Sequence, residues 1–223
     1  MIRSVRFLAI FLLCHVLVLS SCSQAPGKRF EKSMAAFKKA DKESFPPANA
    51  ILFVGSSSFT IWTDVADYFP GYTIINRGFG GSKLTDVIEY ADDVIFPYKP
   101  KQVVIYCGEN DVAGDPVTAD DILQRFTTLF QMIRKGLPDA SIAFVSMKPS
   151  PSREKFLPVI IEGNARVRDF LAAQPKTAYI DVYQPMLDAN GQLRPELFQE
   201  DMLHTNPKGY AIWKEVIQPY LLK

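Results

Sequence analysis

Five short runs made up mostly of apolar residues are the feature of this 223-residue sequence that most restricts its fold. A strand that is apolar at every position has both faces covered, which is typical of parallel sheets. Segments with helical periodicity separate the runs, and parallel strands need such crossover connections. We therefore predict a parallel sheet of five strands from the runs AILFVG (50–55), YTIIN (72–76), QVVIYCG (102–108), SIAFVSM (141–147) and TAYID (177–181).

The segments between the runs are expected to be helices that cover both faces of the sheet. The clearest helix starts at Thr118 as N-cap and ends at Gly136. One helix is expected over residues 58–69, and the last helix is expected to begin at Asn206 and Pro207. The predicted fold class is α/β, a three-layer α/β/α sandwich around a five-stranded parallel sheet.

The N-terminal segment is typical of an export signal. Arg3 and Arg6 precede an apolar stretch over residues 7–19, which is short for a membrane span. The stretch ends in LSSC, which resembles the lipobox of bacterial lipoproteins, where cleavage before the cysteine accompanies attachment of a diacylglycerol to its sulfur. An ordinary signal peptide followed by a chance cysteine at Cys22 is the alternative.

These features predict the domain organisation and the location of the protein. We expect a signal peptide over residues 1–21, a lipidated tether over 22–29 with the lipid on Cys22, and one domain over 30–223. The protein would be exported to the bacterial cell envelope and held by its lipid on a membrane, facing the periplasm or the exterior.

Composition and motifs argue against several classes of function. The 25 basic and 24 acidic residues show no basic cluster, so nucleic acid is not an expected partner. With His204 as the one histidine beyond the signal and Cys107 as the one free thiol, no metal site of the usual zinc type and no cofactor are expected. The glycines at 78–81 fit neither a P-loop nor a dinucleotide fingerprint. No protein partner is inferred.

Polar motifs follow the strands of the predicted sheet. The segments GSSS, NRGFGGS, GEND and KPSPSR come after the first four runs, and ligands bind where the carboxyl ends of parallel strands meet. A serine there becomes a nucleophile only beside a base. Asp201 lies three residues before His204, and such a carboxylate can hold Nδ1–H and leave Nε2 free to accept a proton. Each motif alone is common by chance.

In this order and placement, the motifs resemble those of the SGNH, or GDSL-type, hydrolase family over about residues 51–213. The resemblance implies the flavodoxin-like arrangement of the five strands. It also implies a serine esterase in which Ser57 is the nucleophile, His204 the base and Asp201 the residue that orients the imidazole.

The resemblance further implies an oxyanion hole made by the backbone N–H groups of Ser57 and Gly81 and the side chain of Asn110. The chain departs from the family at Ser56, where an aspartate is usual. This leaves three consecutive serines, of which the resemblance favours Ser57, with Ser56 or Ser58 as alternatives.

The implied reaction is hydrolysis of carboxylic esters. The brief polar loops show no obvious tunnel for a long acyl chain, which favours short acyl groups, as in acetyl esters of carbohydrates or small lipid esters. A non-catalytic scaffold that binds glycans or lipids and an O-acetyltransferase are the alternative functions. Activity should decline as the pH falls to about 6.5 and below, because a histidine base must be neutral.

Other residues have both functional and structural interpretations. Lys148 and Arg153 could meet an anionic or sugar substrate or belong to an ordered loop. Cys107 at the end of an apolar strand is expected to serve as core rather than as a nucleophile. Three aromatic residues either line a pocket or pack in the core: Trp62, Phe79 and Tyr106.

Overall fold

A computed structural model describes residues 29–114 and 116–223 of the chain. The expected signal peptide over residues 1–21 and the lipidation site Cys22 lie outside the described residues, as does most of the expected tether. The expectations for these segments and for the domain boundaries stay predictions.

The sheet has five parallel strands in the order β2-β1-β3-β4-β5, which confirms the predicted fold class. Each strand overlaps its predicted run, and β2 is displaced toward the C-terminus, ending at Gly78 rather than Asn76. The strands are β1 (Ile51–Gly55), β2 (Ile74–Gly78), β3 (Gln102–Tyr106), β4 (Ser141–Val145) and β5 (Thr177–Ile180).

Helices cover both faces of the sheet, as the apolar strands require. The helices are α1 (Glu31–Glu43), α2 (Ser57–Ile61), α3 (Val65–Tyr68), α4 (Leu84–Glu89), α5 (Ala91–Val94), α6 (Glu109–Gly114), α7 (Ala119–Gly136), α8 (Leu157–Ala172) and α9 (Pro207–Ile217). Within the described ranges, no helix is both long and apolar enough to cross a bilayer.

Alternate residues of β1 belong to two separate hydrophobic cores. Leu52 and Val54 pack in a core with α1 and α4 to α8, whereas Ile51 and Phe53 pack with α2, α3 and α9. This alternation is the two-residue period of a strand covered on both faces. It explains why every position of the run had to be apolar.

The prediction of a single helix over residues 58–69 was wrong, because α2 ends at Ile61 and α3 starts at Val65. The Asn76 side chain donates hydrogen bonds to the carbonyls of Phe59 at 2.7 Å and Trp62 at 3.2 Å. These bonds satisfy carbonyls at the end of α2. The break lets Trp62 stack on a tyrosine of α9 in the core.

The predicted starts of α7 and α9 are confirmed by their caps. The Thr118 hydroxyl accepts a hydrogen bond from the Asp121 N–H, and the Asp121 carboxylate accepts one from the Thr118 N–H, a complete capping box. The Asn206 side chain accepts hydrogen bonds from the N–H groups of Lys208 and Gly209. The second cap fixes the loop immediately before α9.

Candidate active site

A sharp turn after β1 places Ser57 at the carboxyl edge of the sheet. Gly55 has a φ of +135°, and a Cβ there would lie 2.0 Å from the Tyr106 carbonyl oxygen, so only glycine fits. The Ser56 N–H donates to that same carbonyl at 2.9 Å. The chain therefore leaves β1 at a fixed angle and begins α2 at Ser57.

The glycine loop after β2 packs against this turn. A Cβ on Gly78 would lie 2.7 Å from the Cβ of Phe59, and a Cβ on Gly80 would lie 3.8 Å from that of Ser57. The loop continues to Gly81, whose φ of +81° is in the left-handed region that glycine adopts readily. The glycines between β2 and α4 therefore bring the backbone of this loop into close contact with Ser57.

The loop that carries His204 is held by backbone and cap hydrogen bonds. The Gln199 N–H donates to the His204 carbonyl at 2.7 Å. The Asn206 side chain donates to the carbonyls of Glu196 at 2.9 Å and Phe198 at 2.8 Å while it caps α9. One asparagine therefore joins the start of α9 to the loop and limits where His204 can lie.

The structure brings Ser57, His204 and Asp201 into one hydrogen-bonded chain. The Nε2 atom of His204 lies 3.0 Å from the Oγ atom of Ser57, although 147 residues separate them. On the other side of the ring, Nδ1 contacts the Asp201 carboxylate. This arrangement can move a proton from Oγ to Nε2, since the carboxylate fixes Nδ1 as the protonated nitrogen.

The Asp201 carboxylate is held in its ionised form. Its burial raises the pKa, but hydrogen bonds from the backbone N–H groups of His204 and Leu203 and from the imidazole outweigh that effect and lower the pKa to about 2. The two N–H groups both donate to Oδ1 at 2.9 Å. The other oxygen is left for the imidazole.

Asn110 reaches the same edge from the start of α6. Its side-chain nitrogen donates hydrogen bonds to the Ser56 hydroxyl at 2.8 Å and the Ser82 carbonyl at 3.1 Å. The carboxamide therefore lies beside the serine turn and the glycine loop. Ser56 accepts one of its two hydrogens.

The alternative nucleophiles have different surroundings. Ser58 is buried, with 1% of its surface exposed, and the Ser56 hydroxyl binds Asn110 rather than an imidazole. Burial raises the pKa of the Cys107 thiol well above its usual range, so the thiol stays protonated. In residues 29–114 and 116–223, no group of three or more His, Cys, Asp or Glu side chains is placed to hold a metal ion.

A buried ionic network next to Asn110 was missed by the sequence analysis. The Lys148 ammonium contacts the Glu109 carboxylate at 2.7 Å, and the Ser150 hydroxyl donates to the same carboxylate at 2.9 Å. The Tyr106 hydroxyl also donates to Glu109. These contacts favour the interpretation of Lys148 as part of an ordered loop over the interpretation that it contacts substrate. The sequence feature that could have indicated this network is the acidic residue Glu109 directly before Asn110.

Two further side chains support the glycine loop. Arg29 donates to the Gly81 carbonyl at 2.8 Å and forms an ion pair with Asp86 at 3.1 Å. Asp111 is fully buried, and it accepts from the Leu84 N–H at 2.9 Å. The aromatic candidates prove to be core residues with at most 1% exposure: Trp62, Phe79 and Tyr106.

A family model described as GDSL-like lipase/acylhydrolase matches residues 54–212 of the chain. The chain belongs to this family. The match spans β1 to α9 and therefore includes the serine turn, the glycine loop, the Asn110 helix and the His204 loop. The predicted family is thus confirmed.

Individual relatives agree with the family assignment. GDSL lipase Rv0518 of Mycobacterium tuberculosis is 28% identical over 119 residues, which cover 53% of this chain and 49% of that protein. This chain therefore matches only about half the length of that curated relative.

Solved structures with low sequence identity share the fold. A GDSL-like lipase from Bacteroides thetaiotaomicron has a TM-score of 0.71 at 22% identity, covering 84% of this chain and 96% of that one. A catalytic mutant of Axe2, an acetylxylan esterase from Geobacillus stearothermophilus, has a TM-score of 0.61 at 15% identity, covering 78% and 94%. These likenesses establish the common fold.

Proposed function

We propose that this protein is a serine esterase in which Ser57, His204 and Asp201 form the catalytic triad. The observation that carries the proposal is the 3.0 Å contact between His204 Nε2 and Ser57 Oγ, with Asp201 on the opposite ring nitrogen. A hydroxyl so placed has the adjacent base that a serine nucleophile needs.

In the first half of the proposed reaction, Ser57 Oγ bonds to the ester carbonyl carbon while His204 Nε2 accepts the hydroxyl proton. Asp201, ionised at neutral pH, stabilises the imidazolium that results. The carbon–oxygen bond to the alcohol then breaks, and the leaving oxygen takes the proton from Nε2. The products of this half are a free alcohol and an acyl group on Ser57.

Water completes the cycle by the same route. His204 accepts a proton from water as its oxygen bonds to the acyl carbon, and Ser57 then leaves and regains that proton. One ester and one water give one acid and one alcohol, and the enzyme returns to its starting state.

The proposed oxyanion donors are the backbone N–H groups of Ser57 and Gly81 and the side chain of Asn110. The Asn110 N–H that donates to the neighbouring Ser56 hydroxyl is the one that would donate to the oxyanion. Its other hydrogen, on the Ser82 carbonyl, would keep the carboxamide in place. Donors fixed before the reaction act on charge as it develops.

The proposed substrates are esters of short acyl groups, in particular acetyl esters of carbohydrates or small lipid esters. The fold likeness to an acetylxylan esterase supports this choice. A panel of esters with increasing acyl length, including acetylated sugars, tests it directly. The fastest hydrolysis is expected for acetyl esters, and a preference for long acyl chains would contradict the proposal.

Two controls separate this function from its alternatives. If the wild-type protein binds the esters but hydrolyses them no faster than Ser57→Ala does, the protein is a binding scaffold. Analysis of products with a glycan acceptor present would identify an acetyltransferase by the new sugar ester. We expect free acetate as the product and no turnover by Ser57→Ala.

We also propose export to the bacterial cell envelope with a lipid on Cys22. The support is the LSSC sequence after a charged and then apolar N-terminal segment. Intact mass spectrometry of protein purified from bacterial membranes should show loss of residues 1–21 and addition of acyl groups. Cys22→Ala should remain unlipidated, and an unmodified wild-type N-terminus at Cys22 would contradict the proposal.

A further inference from the structure

The described part of the chain begins at the catalytic edge of the sheet. Arg29 donates to the carbonyl of Gly81 at 2.8 Å, and the next residue, Phe30, packs edge-on against Phe79 with ring centroids 4.9 Å apart. Gly81 and Phe79 belong to the glycine loop, which lies against Ser57. The N-terminal segment therefore enters the domain beside the nucleophile and is fixed there by two side chains.

The predicted tether is too short to let the catalytic edge move far from a membrane. Seven residue steps separate Cys22 from Arg29. A fully extended chain of that length reaches at most about 25 Å. With a lipid on Cys22, Arg29 would stay within about that distance of the lipid headgroups, and the glycine loop that its side chain contacts would be held near the membrane.

Two exposed apolar side chains belong to the segments that carry the triad residues. Ile61 is four residues after Ser57 in α2, so the two side chains share one face of the helix. Met202 directly follows Asp201 in the loop that carries His204. Each of these apolar residues keeps 39% of its surface exposed. Single exposed apolar residues are ordinary, but these two belong to the two segments that carry Ser57 and His204.

The backbone of Met202 has an unfavourable conformation. Its φ is +55°, a left-handed conformation that is costly for a side chain other than glycine, asparagine or aspartate. The Met202 carbonyl accepts a hydrogen bond from the Ser152 N–H at 3.0 Å, which holds the loop in that shape. The fold thus keeps a long apolar side chain at the surface in a strained position.

We propose that the edge of the sheet carrying Ser57 docks on a lipid bilayer, with Ile61 and Met202 in contact with the lipid. The protein would then act on esters held at the membrane surface in preference to the same esters in solution. This inference rests on the serine esterase activity and on the lipidation of Cys22 proposed above. The short tether selects this face, since the most exposed large apolar side chains of the described residues, Phe45 and Ile161, belong to the loop after α1 and to α8 rather than to the segments beside the tether and the nucleophile.

The test compares two aryl acetates that differ only in a hexadecyl chain on the ring. The alkylated ester partitions into vesicles of phosphatidylethanolamine and phosphatidylglycerol, and the plain ester stays in solution. The full-length protein, purified from bacterial membranes with its lipid verified by mass, is reconstituted into these vesicles. The docking variant is Ile61→Gln with Met202→Asn, since asparagine tolerates the left-handed conformation.

The matched control is Leu222→Gln. Leu222 is 42% exposed, and its N–H binds the side chain of Gln102, the first residue of β3, at the opposite edge of the sheet. The docking variant should hydrolyse the vesicle ester about tenfold more slowly than wild type, because two apolar side chains no longer bury in lipid. Its rate on the plain ester should stay within about twofold of wild type, and Leu222→Gln should match wild type on both esters.

A second variant tests the tether itself. Twenty glycine and serine residues inserted between Gly27 and Lys28 raise the number of residue steps from Cys22 to Arg29 to 27, so the fully extended length rises from about 25 Å to about 95 Å. The insertion should lower the rate on the vesicle ester about threefold or more and leave the rate on the plain ester unchanged.

Several results would overturn the inference. They are equal losses on both esters, a loss for Leu222→Gln as large as that of the docking variant, and a wild-type Cys22 without lipid. Wild-type hydrolysis of the plain ester but not of the vesicle ester would overturn the docking proposal and leave the esterase intact. Hydrolysis of neither ester would instead refute the serine esterase.

Discussion

Replacement of Asn110 by alanine removes one proposed oxyanion donor and two hydrogen bonds of the folded state. The loss of one such donor costs about 100- to 1000-fold in kcat, or about 2.7–4 kcal/mol of transition-state stabilisation. The two hydrogen bonds, to the Ser56 hydroxyl and the Ser82 carbonyl, are worth about 0.5–1.5 kcal/mol each in folding free energy. We therefore expect Asn110→Ala to be about 1–3 kcal/mol less stable.

These magnitudes separate a catalytic effect from an effect of unfolding. Even a protein with a free energy of unfolding of only about 5 kcal/mol would keep about 2 kcal/mol and remain about 97% folded. Destabilisation alone therefore cannot lower the rate 100-fold. The loss should appear in kcat with KM nearly unchanged, since the donor acts on charge that develops in the transition state.

The assay is steady-state hydrolysis of a soluble aryl acetate, combined with urea unfolding of each variant. Ser56→Ala is the matched control, because it removes the acceptor of the 2.8 Å bond but leaves the amide of Asn110 on the Ser82 carbonyl. We expect Ser56→Ala to lose less than about tenfold in kcat. A kcat for Asn110→Ala within tenfold of wild type, or a loss confined to KM, would refute the oxyanion role.

Three other predictions follow from the same contacts. Asp201→Asn should lose up to roughly 10⁴-fold in kcat, because the imidazole would no longer be held in the required tautomer; a loss below tenfold in steady-state kinetics would contradict this. Since hydrogen bonds hold the pKa of Asp201 at about 2, its carboxylate stays ionised above about pH 4. Protonation of Asp201 should therefore contribute nothing to a pH–rate profile above about pH 4, and log(kcat/KM) should nowhere fall with a slope of two in that range. A slope of two there would contradict the assignment. Lys148→Met should lower the free energy of unfolding, measured in urea, by about 3–5 kcal/mol, because it leaves the buried Glu109 carboxylate without its cation. The double variant Lys148→Met with Glu109→Gln should recover part of that lost free energy.

The parts of the fold that could be predicted from sequence are those that depend on local pattern. The β1 strand is apolar at every position, and β3 is apolar from Val103 to Tyr106, because helices cover both faces of each strand. The Thr118 and Asn206 caps act on residues two or three positions away. Asp201 and His204 are three residues apart, so their contact also follows from local sequence.

Contacts between distant residues account for what the sequence did not reveal. The break after Ile61 depends on Asn76, a residue of the neighbouring strand. The pair of Glu109 and Lys148 joins residues 39 positions apart, and neither residue shows in isolation that the other will neutralise it. The meeting of Ser57 with an imidazole is likewise a property of the folded chain, which a run of three serines leaves open.

The most direct test of the central claim is covalent labelling with a fluorophosphonate, which reacts with activated serine nucleophiles. Peptide mapping by mass spectrometry should place one phosphonyl group per chain on Ser57, and labelling of His204→Ala should be much slower. A label on Ser56 or Ser58, or an unlabelled wild-type protein, would contradict the proposal that His204 activates Ser57.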